Sequence, residues 1–188
     1  MNILFEGIDC SGKTTLIDNC LSCVEVTSKF QDVHCFRKPT EMPKEKNVFN
    51  FLRDFKKNKF NSCDTSLCFI DRYWPSTLVY NDQKFKAGRF DMDSMLYIEA
   101  VDSIDYYVLV LVEFDDWLAR IQKDSESTEV MTECGICGEP WKKYRELTDG
   151  YLKIWSSQHI NPLKWAVVNP NVPDFDVKRF LFGLGLDV

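Results

Sequence analysis

The residues with the most specific chemistry stand near the start of the chain, where Gly7-Ile8-Asp9-Cys10-Ser11-Gly12-Lys13-Thr14 follows the apolar run Ile3-Leu4-Phe5. The spacing of the two glycines and the Lys-Thr pair has a mechanical reason. Glycines let the backbone curl so that successive N–H groups point inward at phosphate oxygens, and the helix that follows presents its positive end to the same anion. Lys13 is placed to reach the β- and γ-phosphates, and the Thr14 hydroxyl to ligate Mg²⁺. Gly7, Cys10, Ser11, Gly12, Lys13, Thr14 and Thr15 are therefore the expected donor-nucleotide residues, with ATP and Mg²⁺ as the implied cofactors. Asp71 ends a second apolar run, Leu67-Cys68-Phe69-Ile70. A carboxylate at the end of a neighbouring strand is where such enzymes hold Mg²⁺, often through water. Thr14 and Asp71 are the expected metal residues.

The residues around these two motifs narrow the reading. Phe5-Glu6-Gly7-Ile8-Asp9-x-Ser11-Gly12-Lys13-Thr14-Thr15 resembles the opening of the thymidylate kinases. Asp71-Arg72-Tyr73-x-x-Ser76-Thr77-x-x-Tyr80 resembles their second signature, in the right order along the chain. The resemblance covers residues 1 to about 120 by motif and the rest by order of elements. It implies that Arg72 binds the acceptor 5′-phosphate, a dianion that a planar guanidinium suits. It implies that Asp9 contacts the deoxyribose 3′-hydroxyl and that Ser76, Tyr80 and Asn81 lie along the base. Arg37 stands where the family has an arginine near the acceptor. Phe49 and Arg53, four apart on one helical face, resemble a pair in which Phe stacks on the base and Arg binds phosphate.

The sequence also departs from that pattern. The segment from Arg37 to Arg53 is short and no glycine follows Pro39, so the acceptor-side lid is trimmed. Some thymidylate kinases carry a catalytic arginine within the phosphate loop, but here that position is Cys10. Charge neutralisation at the migrating phosphoryl group must then come from elsewhere. Arg120 is the first candidate, and Lys142, Lys143 and Arg145 are further ones. Lys13, Arg72 and Arg120 form the expected catalytic set.

The elements that must position these residues follow from periodicity. Runs at 2–6, 33–37, 66–70, 106–114 and 165–168 read as strands, and 13–22, 47–57, 92–101, 115–123, 141–156 and 176–182 as helices. Strands alternating with helices predict a three-layer α/β fold: a five-stranded parallel sheet with helices on both faces. In such sheets a ligand lies at the carboxyl ends of the strands, where the phosphate loop, Arg37 and Asp71-Arg72 all fall. With 188 residues the chain suits a single kinase-type domain, 1–188, with a mobile lid at about 121–143.

Composition excludes several classes. The 45% hydrophobic and 28% charged content is that of a globular chain. No apolar run is long enough to span a membrane, and the N-terminus has no signal-peptide character. The net charge of −6 argues against non-specific nucleic-acid binding and favours a small anionic partner. Eight cysteines in a domain of this size, with an ATP-using site, read as reduced thiols of a cytoplasmic protein, or of the host cytoplasm if the source is viral. Cys134-Gly-Ile-Cys137 has the shape of a zinc knuckle, but two further ligands are wanting nearby, so Zn²⁺ is disfavoured.

The preferred expectation is ATP–Mg²⁺-dependent phosphorylation of a pyrimidine deoxynucleoside monophosphate, most simply dTMP to dTDP. A kinase of 5-hydroxymethyluracil in DNA keeps the fold and changes the acceptor; of these readings it alone brings nucleic acid in as a partner. A deoxynucleoside kinase and a non-catalytic nucleotide-binding switch stand behind it. A homodimer is an expectation of the resemblance alone.

Overall fold

A computed structural model of the chain describes residues 1–24, 30–37, 66–84, 104–123, 139–156 and 161–186. In chain order these form β1 (Asn2–Glu6), α1 (Lys13–Cys23), β2 (Asp32–Arg37), β3 (Ser66–Asp71) and α2 (Trp74–Lys84). They continue with β4 (Tyr106–Val110), α3 (Phe114–Lys123), α4 (Pro140–Trp155), a 3₁₀ turn at Pro162–Lys164, β5 (Trp165–Val168) and α5 (Val177–Gly183). The helices expected over 47–57 and 92–101 lie outside the described residues, as do Phe49, Arg53, Cys134, Cys137 and most of the expected lid.

The sheet runs β2-β3-β1-β4-β5, and every pairing is parallel. β1 lies at the centre, with Leu4 opposite Ile70 on one side and Tyr107 on the other. Side chains alternate across the sheet, so each central strand feeds two cores. Leu4, Ile70, Tyr107 and Leu109 pack with Tyr73, Trp74, Trp117, Tyr151 and Trp155 beneath α2, α3 and α4. Ile3, Phe5, Phe69, Val108 and Val110 pack with Leu16, Ile17 and Leu181 beneath α1 and α5. This covering on both faces explains why β3 is buried along its whole length and reads as a continuous apolar run. The three layers and five strands are those expected from the sequence.

One strand end and one helix differ from the expectation by more than a residue. The strand expected over 106–114 stops at Val110. The Leu111 N–H makes one more bond to the Val168 carbonyl at 2.9 Å, and the chain then turns into α3, whose Trp117 N–H reaches Glu113 O at 3.0 Å. The apolar run continues past the strand because Val112 and Phe114 pack in the same core. Helix α2 is absent from the expected elements. Its proline, Pro75, is tolerated because it falls in the first turn, where the missing N–H costs nothing. Cys10, Cys20, Cys23, Cys35 and Cys68 form no disulfide. No helix among the described residues is long and apolar enough to cross a membrane.

Candidate active site

The site grows from the turn between β1 and α1. Gly7 has φ +146° and Gly12 φ +88°, and a Cβ on Gly7 would collide with the Val110 carbonyl oxygen. Cys10 also takes a left-handed conformation, at φ +60°. The loop is fastened from α3. The Trp117 indole N–H donates to the Asp9 carbonyl at 2.9 Å, and Arg120 Nη1 donates to the Cys10 carbonyl at 3.2 Å. Arg120 Nη2 also donates to Asn171 Oδ1, and Asn171 Nδ2 donates in turn to Asp116 Oδ2 at 2.7 Å. A Cβ on Gly12 would stand 2.6 Å from Arg120 Nη1, so the glycine is what lets the guanidinium lie against the loop.

Lys13 points back into the curl. Its Nζ donates to the carbonyls of Gly7 at 3.0 Å and Ile8 at 2.7 Å and to Ser11 Oγ at 3.3 Å. Burial, and then the positive charge of Arg72, push its pKa down to about 7, against the opposing pull of Asp9, Asp71 and Glu6. An ammonium so desolvated gains strongly from an arriving phosphate. Thr14 Oγ1 donates to Asp71 Oδ2 at 3.0 Å, joining α1 to the end of β3. A hydroxyl and a carboxylate side by side are hard oxygen donors. They fit Mg²⁺, which keeps several waters and takes few protein ligands besides phosphate oxygens. Thr15 is exposed on the first turn of α1.

On the other side of the loop, Arg72 adopts φ +67° directly after β3. Its Nη2 is ion-paired with Asp9 Oδ1, and its guanidinium carbon lies 5.5 Å from the centre of the Tyr80 ring. Tyr80 accepts the Asp9 backbone N–H at 3.1 Å through its hydroxyl oxygen. Burial opposes the charge on Arg72, but Asp9 first and then Tyr80, Tyr151 and Glu6 favour it, and its pKa is raised well above the ordinary value. Burial, with Asp9 beside it, raises the pKa of Tyr80 and keeps that phenol neutral. Asp9, Arg72 and Tyr80, drawn from three elements, thus meet in one cluster.

Not every expected residue joins them. Ser76 is buried and turned toward Glu6, where its hydroxyl donates to Oε2. Arg37 sits opposite Asp71 in the sheet, but its side chain is exposed and paired with Asp18 of α1 at 2.9 Å. Asn81 is on α2, with only its backbone described. Lys142 and Arg145 are exposed and paired along their own helix with Glu139 and Asp149, each at 3.6 Å, while Lys143 is buried. Of the candidates for catalytic charge, Arg120 is the one seen against the phosphate loop.

Sequence reasoning missed four residues that shape the site: Glu6, Trp117, Tyr151 and Asn171. Only Glu6 carried a signal, as an acid at the end of an otherwise apolar buried strand. The other three act through tertiary contacts made across more than 50 positions of sequence.

No protein-family model and no curated protein matches the sequence. Solved structures do. The Bacillus subtilis protein YorR, solved in complex with phosphorylated GDP, matches with a TM-score of 0.60 at 17% identity, over 97% of this chain and 94% of that one. A thymidylate kinase from Ehrlichia chaffeensis matches with a TM-score of 0.54 at 18% identity, over 96% of this chain and 93% of that one. The parallel five-stranded sheet, covered by helices on both faces, gives this chain the three-layer α/β fold of the P-loop kinases.

Proposed function

We propose that the protein transfers the γ-phosphoryl group of ATP to the 5′-phosphate of a pyrimidine deoxynucleoside monophosphate, with dTMP the simplest acceptor. The observation that carries this reading is the pairing of two anion-binding features at one edge of the sheet. The Gly7–Thr14 loop with Lys13 is one, and the Asp9–Arg72–Tyr80 cluster is the other. A switch needs only the first. A nucleoside kinase has no acceptor phosphate for Arg72 to hold.

The loop amides and Lys13 hold the donor phosphates, and Thr14 and Asp71 would hold Mg²⁺. When bound, the metal neutralises and orients the β- and γ-phosphates. Arg72 holds the acceptor phosphate, one of whose oxygens attacks the γ-phosphorus in line as the bond to the bridging oxygen breaks and ADP departs. Asp9 orients the acceptor sugar, and Tyr80 flanks the base. Arg120 stabilises the charge on the migrating group, since Cys10 cannot. Positioning and electrostatics account for the catalysis, with little covalent work for the protein.

The test is ADP release from ATP–Mg²⁺ across a panel of deoxynucleosides, deoxynucleoside monophosphates, guanine nucleotides and hydroxymethyluracil DNA. Guanine nucleotides belong in it because YorR was solved with phosphorylated GDP. The proposal expects turnover with dTMP above the other acceptors. Turnover confined to DNA or to nucleosides would replace the acceptor, and nucleotide binding without transfer to any acceptor would favour a switch.

A further inference from the structure

We infer that Glu6 is a positioning residue whose buried carboxylate holds the Asp71–Arg72–Tyr73 turn, so that Arg72 faces the acceptor. The inference rests on the reading of Arg72 as the acceptor-phosphate ligand.

Glu6 is fully buried at the end of the central strand, immediately before Gly7 of the phosphate loop. Its Oε1 accepts the backbone N–H of Tyr73 at 2.7 Å and, more weakly, that of Ser76 at 3.4 Å. Its Oε2 accepts the Ser76 hydroxyl and, at 3.4 Å, the hydroxyl of Tyr151 from α4. Ser76 Oγ and Tyr151 OH are themselves 3.2 Å apart. Tyr73 and Ser76 stand at the start of α2, so a carboxylate from another strand does the work of an N-terminal cap and meets the positive end of the helix.

The strained residue lies inside this arrangement. Arg72 has φ +67°, a conformation that costs a side-chain-bearing residue roughly 1–2 kcal/mol. The N–H on one side of its Cα donates to Phe5 O at 3.0 Å, and the next N–H, that of Tyr73, donates to Glu6. Two consecutive residues of β1 thus hold the backbone before and after the strained position. A buried carboxylate is a poor device for stability alone, because removing its charge from water is costly. Here the same residue leads into the phosphate loop and fixes the turn that carries Arg72. Its negative charge also favours the charged guanidinium.

The experiment is steady-state kinetics of the wild type, Glu6→Gln, Ser76→Ala and Tyr151→Phe, varying acceptor at saturating ATP and then ATP at saturating acceptor. Exchanging a charged hydrogen-bond acceptor for a neutral one forfeits about tenfold, so Glu6→Gln is expected to raise the acceptor KM about tenfold. The KM for ATP should stay within about twofold, because the loop amides and Lys13 are untouched. Ser76→Ala and Tyr151→Phe should shift the acceptor KM in the same direction by less, and they carry the test by the same criteria if Glu6→Gln does not fold. An unchanged acceptor KM would overturn the inference. So would a parallel rise of both KM values with falling thermal stability, the mark of a merely structural role. A wild type inactive toward every monophosphate overturns the proposed function and this inference with it; an active wild type with unshifted variants overturns the inference alone.

Discussion

Lys13 gives the phosphate loop a measurable proton signature. In the protein without nucleotide its pKa is pushed down to about 7, chiefly by burial and then by Arg72. A triphosphate drawn against Nζ restores the charge. At pH 8 the free lysine is about one-tenth protonated and the bound one nearly fully so, giving uptake of about 0.9 proton per nucleotide. The uptake should fall to about 0.5 at pH 7 and to about 0.1 at pH 6. Isothermal titration of ATP–Mg²⁺ in buffers of different ionisation enthalpy reads this number directly. At pH 8 the triphosphate is already deprotonated, which leaves Lys13 as the main contributor. Binding enthalpies at pH 8 that do not depend on the buffer would refute the reasoning. The same shift carries a stability sign. The folded pKa lies below the unfolded value of 10.5, so between about 7 and 10.5 the unfolded chain holds more protons. The contribution of Lys13 to stability therefore rises with pH through that window. Since only 5% of the residue is exposed, the span is about 5 kcal/mol. Lys13→Met should flatten that rise in a urea series.

Other perturbations follow from the same geometry. Arg72→Ala should lower kcat/KM for the acceptor on the order of a hundredfold, since it removes the charged fork expected to hold the phosphate. The ATP dissociation constant should barely move. Gly12→Ala must place a Cβ at φ +88° and 2.6 Å from Arg120 Nη1; it should cost about 1–2 kcal/mol by thermal unfolding and weaken ATP binding. Phe69→Ala empties a fully buried position between the sheet and the α1 side, and urea unfolding should show a loss of about 3–5 kcal/mol.

Much of this was legible because the relevant signals are local. The Gly7–Thr14 spacing demands one backbone shape, and the apolar runs at Ile3–Phe5 and Leu67–Ile70 demand buried strands. Asp71 and Arg72 follow one of those strands directly, so their place at the carboxyl edge comes with it. Helix α2 escaped because Pro75 and the β-branched Thr77 and Val79 dilute a helical pattern that packing against α4 enforces. Ser76 matches a motif position, but its hydroxyl is claimed by Glu6, and no local signal separates a base contact from a buried brace. Arg37 stands at the strand end that its spacing implies. Its pairing with Asp18 depends on where α1 lies across the sheet, which spacing alone does not encode.

The proposed function requires phosphoryl transfer between two nucleotides bound at one edge of the sheet. Its most direct test follows the label from γ-³²P-ATP after incubation with the protein, Mg²⁺ and dTMP. Label is expected in dTDP, growing in step with ADP and lowered on the order of a hundredfold in Arg72→Ala. Label appearing only in inorganic phosphate, at a rate that dTMP does not change, would contradict it.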